Sequence, residues 1–555
     1  MSNNPLFRRK PIEAFIKDMN EGGLKRVLGR WGLTAIGVGA IIGTGIFVLT
    51  GLGARDHAGP ALALSFVVAG LACLFAALCY AEFASFLPVE GSAYAYSYAT
   101  MGELFAWVIG WDLILEYAMG SSAVAVGWSN YLLKVLGYMH VHLPLWISAD
   151  YWTAEVMLKK AEAISFLNAT LAKTSVVEEI KKITISNELL KDMLKNYTSL
   201  EQIQISAKGD TLELMQQKYS SIDFPTIFGK PFAMNLPAFM IIWAVTGLLV
   251  KGIKEAASAN NVMVVIKIAV ILFVIIAGAG YINIENWTPF IPERSMNIYS
   301  NGDMKEAFGW TGILSGAGYI FFAYVGFDVV STSAGEAKNP QKDVPFGIMV
   351  ALVFCTILYI LVSLVLTGMV NYKDIDIHAP IAAAFGKVGL DWAAVLISCA
   401  AIAGLTSVLI AMLIGQSRVF YAMAKDGLLP TNVFAKLHPK FQTPYKSSLW
   451  IAVFVSLVSA FTPIDKIAEM TNIGTLLAFV MVCAAVWIMR KRNPDLHRPF
   501  KTPYIDVVAP LGILLNFGIM CSLDLGNWVR LVVWLAMGMV IYFLYSRHHS
   551  KLNSK

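Results

Sequence analysis

Residues 39–47 read GAIIGTGIF, with Gly39, Gly43 and Gly45 falling inside one apolar stretch at 31–51. Glycine weakens a helix by about 1 kcal/mol relative to alanine, so this stretch is expected to unwind partway along. A bilayer tolerates unwound backbone only where protein buries it or a cavity takes it up. A second such place lies in the apolar stretch 307–333, where Gly316 and Gly318 precede FAYVGFD at 322–328.

Around these two places the chain is membrane-like throughout. It has 555 residues, 57% hydrophobic and 14% charged, where soluble domains carry about 25% charge. A bilayer core needs roughly 20 apolar residues per helix. Such stretches lie near 31–51, 60–86, 103–137, 233–251, 258–283, 307–333, 343–370, 382–422, 446–462, 468–490, 505–525 and 526–546. The fold class expected is an all-α polytopic membrane protein with twelve spans. The stretch at 382–422 is long enough to overrun the membrane or to include a short preceding helix.

The net charge of +6 does not mark a nucleic-acid partner, because Lys and Arg gather at span ends. Arg8, Arg9, Lys10 and Arg30 precede the first span, Lys425 and Lys446 flank the loop after the eighth, and Arg490, Arg492 and Arg498 follow the tenth. With an even span count these places share one side with Arg547, so the positive-inside rule puts both termini in the cytoplasm. Residues 1–30 read as a cytoplasmic segment without a cleavable signal, and Ile12–Leu28 as an interfacial helix, with an unstructured tail as the alternative. The six cysteines fall in expected spans and read as small apolar residues.

The glycine-rich places sit in the first and sixth spans, five apart. Interrupted spans at matching positions of two halves point to an inverted-repeat transporter; the plainer alternative is that glycines let helices pack closely. The halves are 31–283 and 307–490, followed by two further spans in 491–546 and a cytoplasmic tail at 547–555. Broken helices suit a zwitterion: freed N–H groups attract a carboxylate, and freed carbonyls accept from an ammonium.

Two ionisable residues lie deep in spans. Lys267 sits in VMVVIKIAVILF at 262–273. A central lysine costs roughly 2.5–3.5 kcal/mol on insertion scales and so faces a partner or a cavity; a buried amine gives up its proton more readily than an exposed one, which suits proton carriage. Glu116 lies one turn beyond Asp112 in WDLILEY at 111–117, and the two carboxylates share a face that suits a cation or proton. The alternative for all three is a structural hydrogen bond between helices. Glu82 and Glu90, near a span end, read as packing residues. No phosphate loop, HExxH or nucleophile elbow is present, so neither ATP-driven pumping nor an enzyme is expected, and no metal or cofactor.

The polar segment 138–231 holds ten lysines and eleven acidic residues. This topology puts it outside, and apolar residues at helical spacing in 153–173, 175–196 and 210–220 read as a small helical lid or subdomain; a disordered tether is the alternative. Asn168 and Asn196 match the glycosylation sequon.

Taken in order, GAIIGTGIF at 39–47, YAEFAS at 80–85, GSAY at 91–94, FAYVGFD at 322–328, GEAKNP at 335–340, QSRVFY at 416–421, DGLLP at 426–430 and RPF at 498–500 resemble the amino acid–polyamine–organocation superfamily, and within it the cationic amino acid transporter family. The resemblance covers nearly all spans and implies the leucine-transporter fold, with five-plus-five inverted repeats and two added helices. It implies that Ile41, Ile42, Gly43, Thr44 and Gly45 line the carboxylate side of the substrate and that Phe322, Ala323, Tyr324 and Val325 receive its amino group. It further implies that Glu116 borders the pocket, that Met412 lines its side-chain end, and that Lys267 matches a proton-coupling lysine that stands where a sodium ion sits elsewhere in this fold. Segment 138–231 departs from the family pattern, with room for an unidentified partner.

The expected function is import of an amino acid by alternating access, coupled to protons, in a bacterial inner membrane. The rivals are an ion-independent exchanger or facilitator, a non-transporting amino acid sensor that docks partners through the insert, and, disfavoured by the lack of a repeated filter, a channel.

Overall fold

The computed structural model describes residues 5–11, 14–15, 28–89, 91–155, 225–227, 230–251, 253–298, 304–332, 334, 337–441 and 443–554. The interfacial helix expected at 12–28, nearly all of the insert helices, Asn168, Asn196 and Glu90 lie outside the described residues.

Each apolar stretch carries a helix. They are α1 (Arg30–Ile41), α2 (Leu62–Phe86), α3 (Glu103–Tyr138), α4 (Leu236–Lys251), α5 (Ile253–Ala279), α6 (Gly309–Ile320), α7 (Pro340–Met369), α8 (Asp391–Lys425), α9 (Tyr445–Phe461), α10 (Ile464–Arg492), α11 (Ile505–Cys521) and α12 (Leu525–Ile541). Among the described residues, seven helical stretches have the length and apolarity to cross a bilayer, and α4, α9 and α11 are shorter apolar helices. A helix of 17 residues, as α9 and α11 are, reaches roughly 26 Å at 1.5 Å per residue, slightly less than the ~30 Å hydrocarbon core. The 36-residue α3 is long enough but polar, carrying Glu103, Asp112, Glu116, Ser121 and Ser122 on buried positions. It is the interior helix, packed against α8, α10, α9 and α4, while α7 packs against α2 and α1.

Trp31, Met240, Val265, Ile276, Trp392, Leu514 and Val532 point outward. Apolar surface on this scale is covered by lipid rather than water. The molecule is an integral, multi-pass membrane protein.

The long eighth stretch resolves into a short helix, Pro380–Lys387, followed by α8. Cys73, Cys79, Cys355 and Cys483 are buried, whereas Cys399 and Cys521 are exposed. The all-helical expectation needs one correction. Thr226–Ile227 pairs with Lys230–Pro231, and Ser295–Ile298 pairs with Met304–Ala307, both antiparallel. Both pairs lie in connections, where backbone groups lacking a helical partner pair with each other.

The chain's two ends meet. Arg8 Nη1 donates to Leu552 O at 3.1 Å, and Lys10 pairs with Asp426 at 2.8 Å. Tyr94 Oη donates to the other Asp426 oxygen at 2.7 Å, and Glu103 accepts from Tyr98, Tyr542 and Ser550. Glu82 is a buried anchor: Arg490 grips it at 2.9 and 2.7 Å, Arg498 pairs at 3.2 Å, and Thr502 N donates at 2.8 Å.

Candidate functional site

Both glycine-rich places interrupt their helices. α1 stops at Ile41, and Ile42 leaves helical geometry with φ −72° and ψ 93°. The chain is helical again from Thr44 and continues as a wide π-type turn over Gly45–Leu49. α6 stops at Ile320, tightens into a single 3₁₀ turn at Phe321–Tyr324, and opens at Val325 with φ −60° and ψ 129°. Gly326 then takes φ +115°, which only glycine adopts without strain, and Val329–Thr332 is helical.

The two interruptions touch. A Cβ at Gly45 would stand 2.3 Å from Ala323 Cα, and one at Gly326 would stand 3.1 Å from Ala40 C and O. A Cβ at Gly43 would meet Val408 of α8 at 3.0 Å. Small residues at these points let main chain approach main chain.

An interruption strips backbone groups of partners, and a buried orphan costs about 1–3 kcal/mol. Side chains of neighbouring helices supply what is missing. Tyr359 Oη of α7 lies 2.7 Å from Ile41 O and 2.8 Å from Ala323 O; having one hydrogen, it donates to one of them at a time. Asn472 Nδ2 of α10 donates to Gly318 O at 2.8 Å and Tyr319 O at 2.9 Å. Tyr131 Oη of α3 donates to Phe47 O at 2.7 Å. Lys267 of α5, fully buried, donates from Nζ to Gly39 O, to Ile42 O at 3.0 Å and to Ser407 Oγ of α8 at 2.9 Å. Thr44 Oγ1 is buried in the first interruption without a hydrogen-bond partner among the described residues.

The sequence-predicted residues therefore divide into groups. Ile41, Ile42, Gly43, Thr44 and Gly45 form the first interruption, Phe322, Ala323, Tyr324 and Val325 the second, and Lys267 flanks the first. Tyr324 Oη is committed to Phe66 O of α2 at 2.8 Å. Met412 of α8 faces Gly120 of α3, its sulfur 3.7 Å from a Cβ built there. Glu116 lies further along α3, in electrostatic range of Asp328 and Asp112. Asp112 packs on Gly474 of α10, and none of the four oxygens of Asp112 and Glu116 has a hydrogen-bond partner among the described residues. Asp328 accepts from Tyr117 Oη at 2.7 Å.

Sequence reasoning missed Tyr359, Asn472, Tyr131 and Ser407. A signal is present only for Tyr359, a lone polar group in the apolar run ILYIL at 357–361; Tyr131, Asn472 and Ser407 stand beside other polar residues that mask them.

A membrane-embedded bundle whose two interrupted helices meet in its interior has the build of a solute transporter. The chain belongs to the amino acid permease family, whose model matches residues 28–546, within the amino acid–polyamine–organocation superfamily. It is 41% identical over 550 residues, 99% of each chain, to the branched-chain amino acid permease BcaP of Bacillus subtilis (strain 168). The methylthioribose transporter of the same organism is 39% identical over 548 residues, again 99% of each chain. A vacuolar cationic amino acid transporter 4 of Arabidopsis thaliana is 34% identical over 498 residues, 89% of this chain and 68% of that protein.

Proposed function

We propose that the protein imports an α-amino acid by alternating access and that a proton drives it. The twelve helices cross the membrane as two inverted five-helix halves plus a final pair, with both chain ends in the cytoplasm of a bacterial cell. Contact between Arg8 and Leu552 supports a common side for the ends. A relative named for branched-chain amino acids, aligned end to end, supports the substrate class. Ile41–Gly45 hold the carboxylate, Phe322–Val325 receive the ammonium, Met412 walls the side-chain end, and Glu116 borders the pocket on the Asp328 side.

The observation that carries proton coupling is the set of bonds at Lys267. As an ammonium, Lys267 has three N–H donors, matching Gly39 O, Ile42 O and Ser407 Oγ. As a neutral amine it has two. Losing a proton therefore leaves three partners for two N–H donors and weakens the join among α5, the end of α1 and α8, which frees α1 to rock against α8. Gaining a proton restores it.

The test is uptake of radiolabelled amino acids into proteoliposomes. An inward proton gradient is expected to drive accumulation in the wild type and to fail in Lys267→Met. Accumulation that follows a sodium gradient and ignores pH, or that survives unchanged in Lys267→Met, overturns proton coupling.

A further inference from the structure

α1 and α7 begin beside one another. Just before the two helices Leu28 and Ala337 form a short parallel bridge, and Lys338 N donates to Leu28 O at 2.8 Å. Small residues keep the helices close beyond it. A Cβ at Gly347 of α7 would stand 3.1 Å from Leu33 Cβ of α1, and one at Gly37 of α1 would stand 2.8 Å from Ala351 Cβ of α7.

Three cations gather at this shared foot. Arg30 opens α1, Lys338 lies just before α7, and Lys342 lies in the first turn of α7. All three are exposed, and none has an ion-pair partner among the described residues. The one carboxylate described at this foot, Asp343, accepts from Asn339 N at 3.2 Å. Uncompensated like charges repel, and an anion placed among them turns that repulsion into attraction.

An aromatic pair sets the cluster at the lipid boundary. Trp31 is 69% exposed, and its ring meets Phe346 edge-on at 5.4 Å. The Arg30 guanidinium lies over the same Phe346 ring, 5.7 Å from its centroid. Phe346 stands one helical turn beyond Lys342, so the two share a face of α7. A tryptophan on a lipid-facing surface settles at headgroup level, its ring against the acyl chains and its N–H toward water. The foot thus offers positive charge to a headgroup and apolar rings to the chains below it.

We propose that the foot of α1 and α7 is a binding site for one anionic phospholipid, its phosphate held among Arg30, Lys338 and Lys342 and its acyl chains laid along Trp31 and Phe346. Basic clusters between helices at a membrane surface take acidic headgroups in this way. The bound lipid ties the interrupted first helix to α7. The site requires that the chain lie in a membrane and does not depend on which solute it carries.

The experiment is binding of radiolabelled dioleoylphosphatidylglycerol to the purified, immobilised full chain in detergent, beside dioleoylphosphatidylcholine as the zwitterionic match. Wild type is expected to hold one phosphatidylglycerol about tenfold more tightly than phosphatidylcholine, with inorganic phosphate unable to displace it. Replacing Arg30, Lys338 and Lys342 together by Gln is expected to abolish that preference. Trp31→Ala, which keeps all three charges, is expected to weaken both lipids. A control replaces Lys425, Lys436 and Lys440, three exposed lysines at and after the end of α8, by Gln and is expected to keep the wild-type preference. Thermal unfolding midpoints confirm that each variant folds; should the triple variant not fold, Lys342→Glu alone is expected to lower the preference severalfold. A preference that survives loss of the three charges, or of Lys342 in that case, overturns the site, as does one that falls equally in the control. Displacement by inorganic phosphate overturns a lipid as the occupant.

Discussion

Lys267 and Glu116 are both ionisable and buried in the bundle, and their surroundings are opposite. Lys267 has an acceptor for each of its three hydrogens, two of them carbonyls at the place where α1 comes apart. Glu116 and its neighbour Asp112 have no donor for any of four oxygens among the described residues. Burying a charge costs several kcal/mol unless hydrogen bonds or counter-charge offset it. At Lys267 the break and the lysine solve each other's problem, since the unwound turn needs a donor and the ammonium needs acceptors. At Glu116 nothing is solved, so the carboxylates are tied to no neighbour whose position depends on them. One charge is part of the frame; the other pair is held by the frame.

That contrast can be broken by substitution. Lys267→Met is expected to abolish proton-driven uptake. It also leaves Gly39 O and Ile42 O without their donor, at about 1–3 kcal/mol each; an unshifted unfolding midpoint would remove the lysine from the frame. Glu82→Ala tests a second tied charge. It leaves the buried Arg498 without its carboxylate, and losing one partner of such a pair costs about 3–5 kcal/mol, read as a lower midpoint in detergent. Gly326→Ala forces a φ that alanine avoids, beside Ala40, at about 1–3 kcal/mol, with uptake reduced because the two interruptions no longer meet. Tyr359→Phe removes one hydroxyl between Ile41 O and Ala323 O, at about 1 kcal/mol, and is expected to slow uptake severalfold. The smallest effect belongs to Glu116→Gln and Asp112→Asn, whose midpoints should equal or exceed the wild type. A fall of more than about 1 kcal/mol would show that these carboxylates are tied after all.

The helices were legible because hydropathy reports the one thing a bilayer demands of every span. The interruptions at Ile42–Gly43 and Val325–Gly326 were legible because glycines cluster around them, although Gly39, Gly316 and Gly318 themselves lie in unbroken helix. The satisfying groups were not, because a partner in space leaves no mark in the local pattern. Tyr359 is a single tyrosine among leucines and isoleucines, and its place between two carbonyls depends on how α7 crosses both breaks. The same holds for Asn472 against α6. Ser407 bonds Lys267 across 140 residues of sequence, a pairing that neither residue's surroundings announce. Hydropathy reveals α3 at 103–137, but not that its buried Asp, Glu and Ser residues make it the interior helix, wrapped by protein rather than lipid. The strand pairs escaped because each strand is only two or four residues long, too short to carry a periodic signal.

The bond between Arg8 and Leu552 joins residues 544 positions apart. At roughly 5–20 residues per second, a ribosome needs about half a minute to two minutes to travel between them. Throughout that time Arg8 lacks this one partner, and the contact forms only after Leu552 has been made. Closing so long a loop adds little entropy penalty over a shorter one, so the delay is one of timing rather than energy. The join is thus a late event, made only after the intervening helices have been produced.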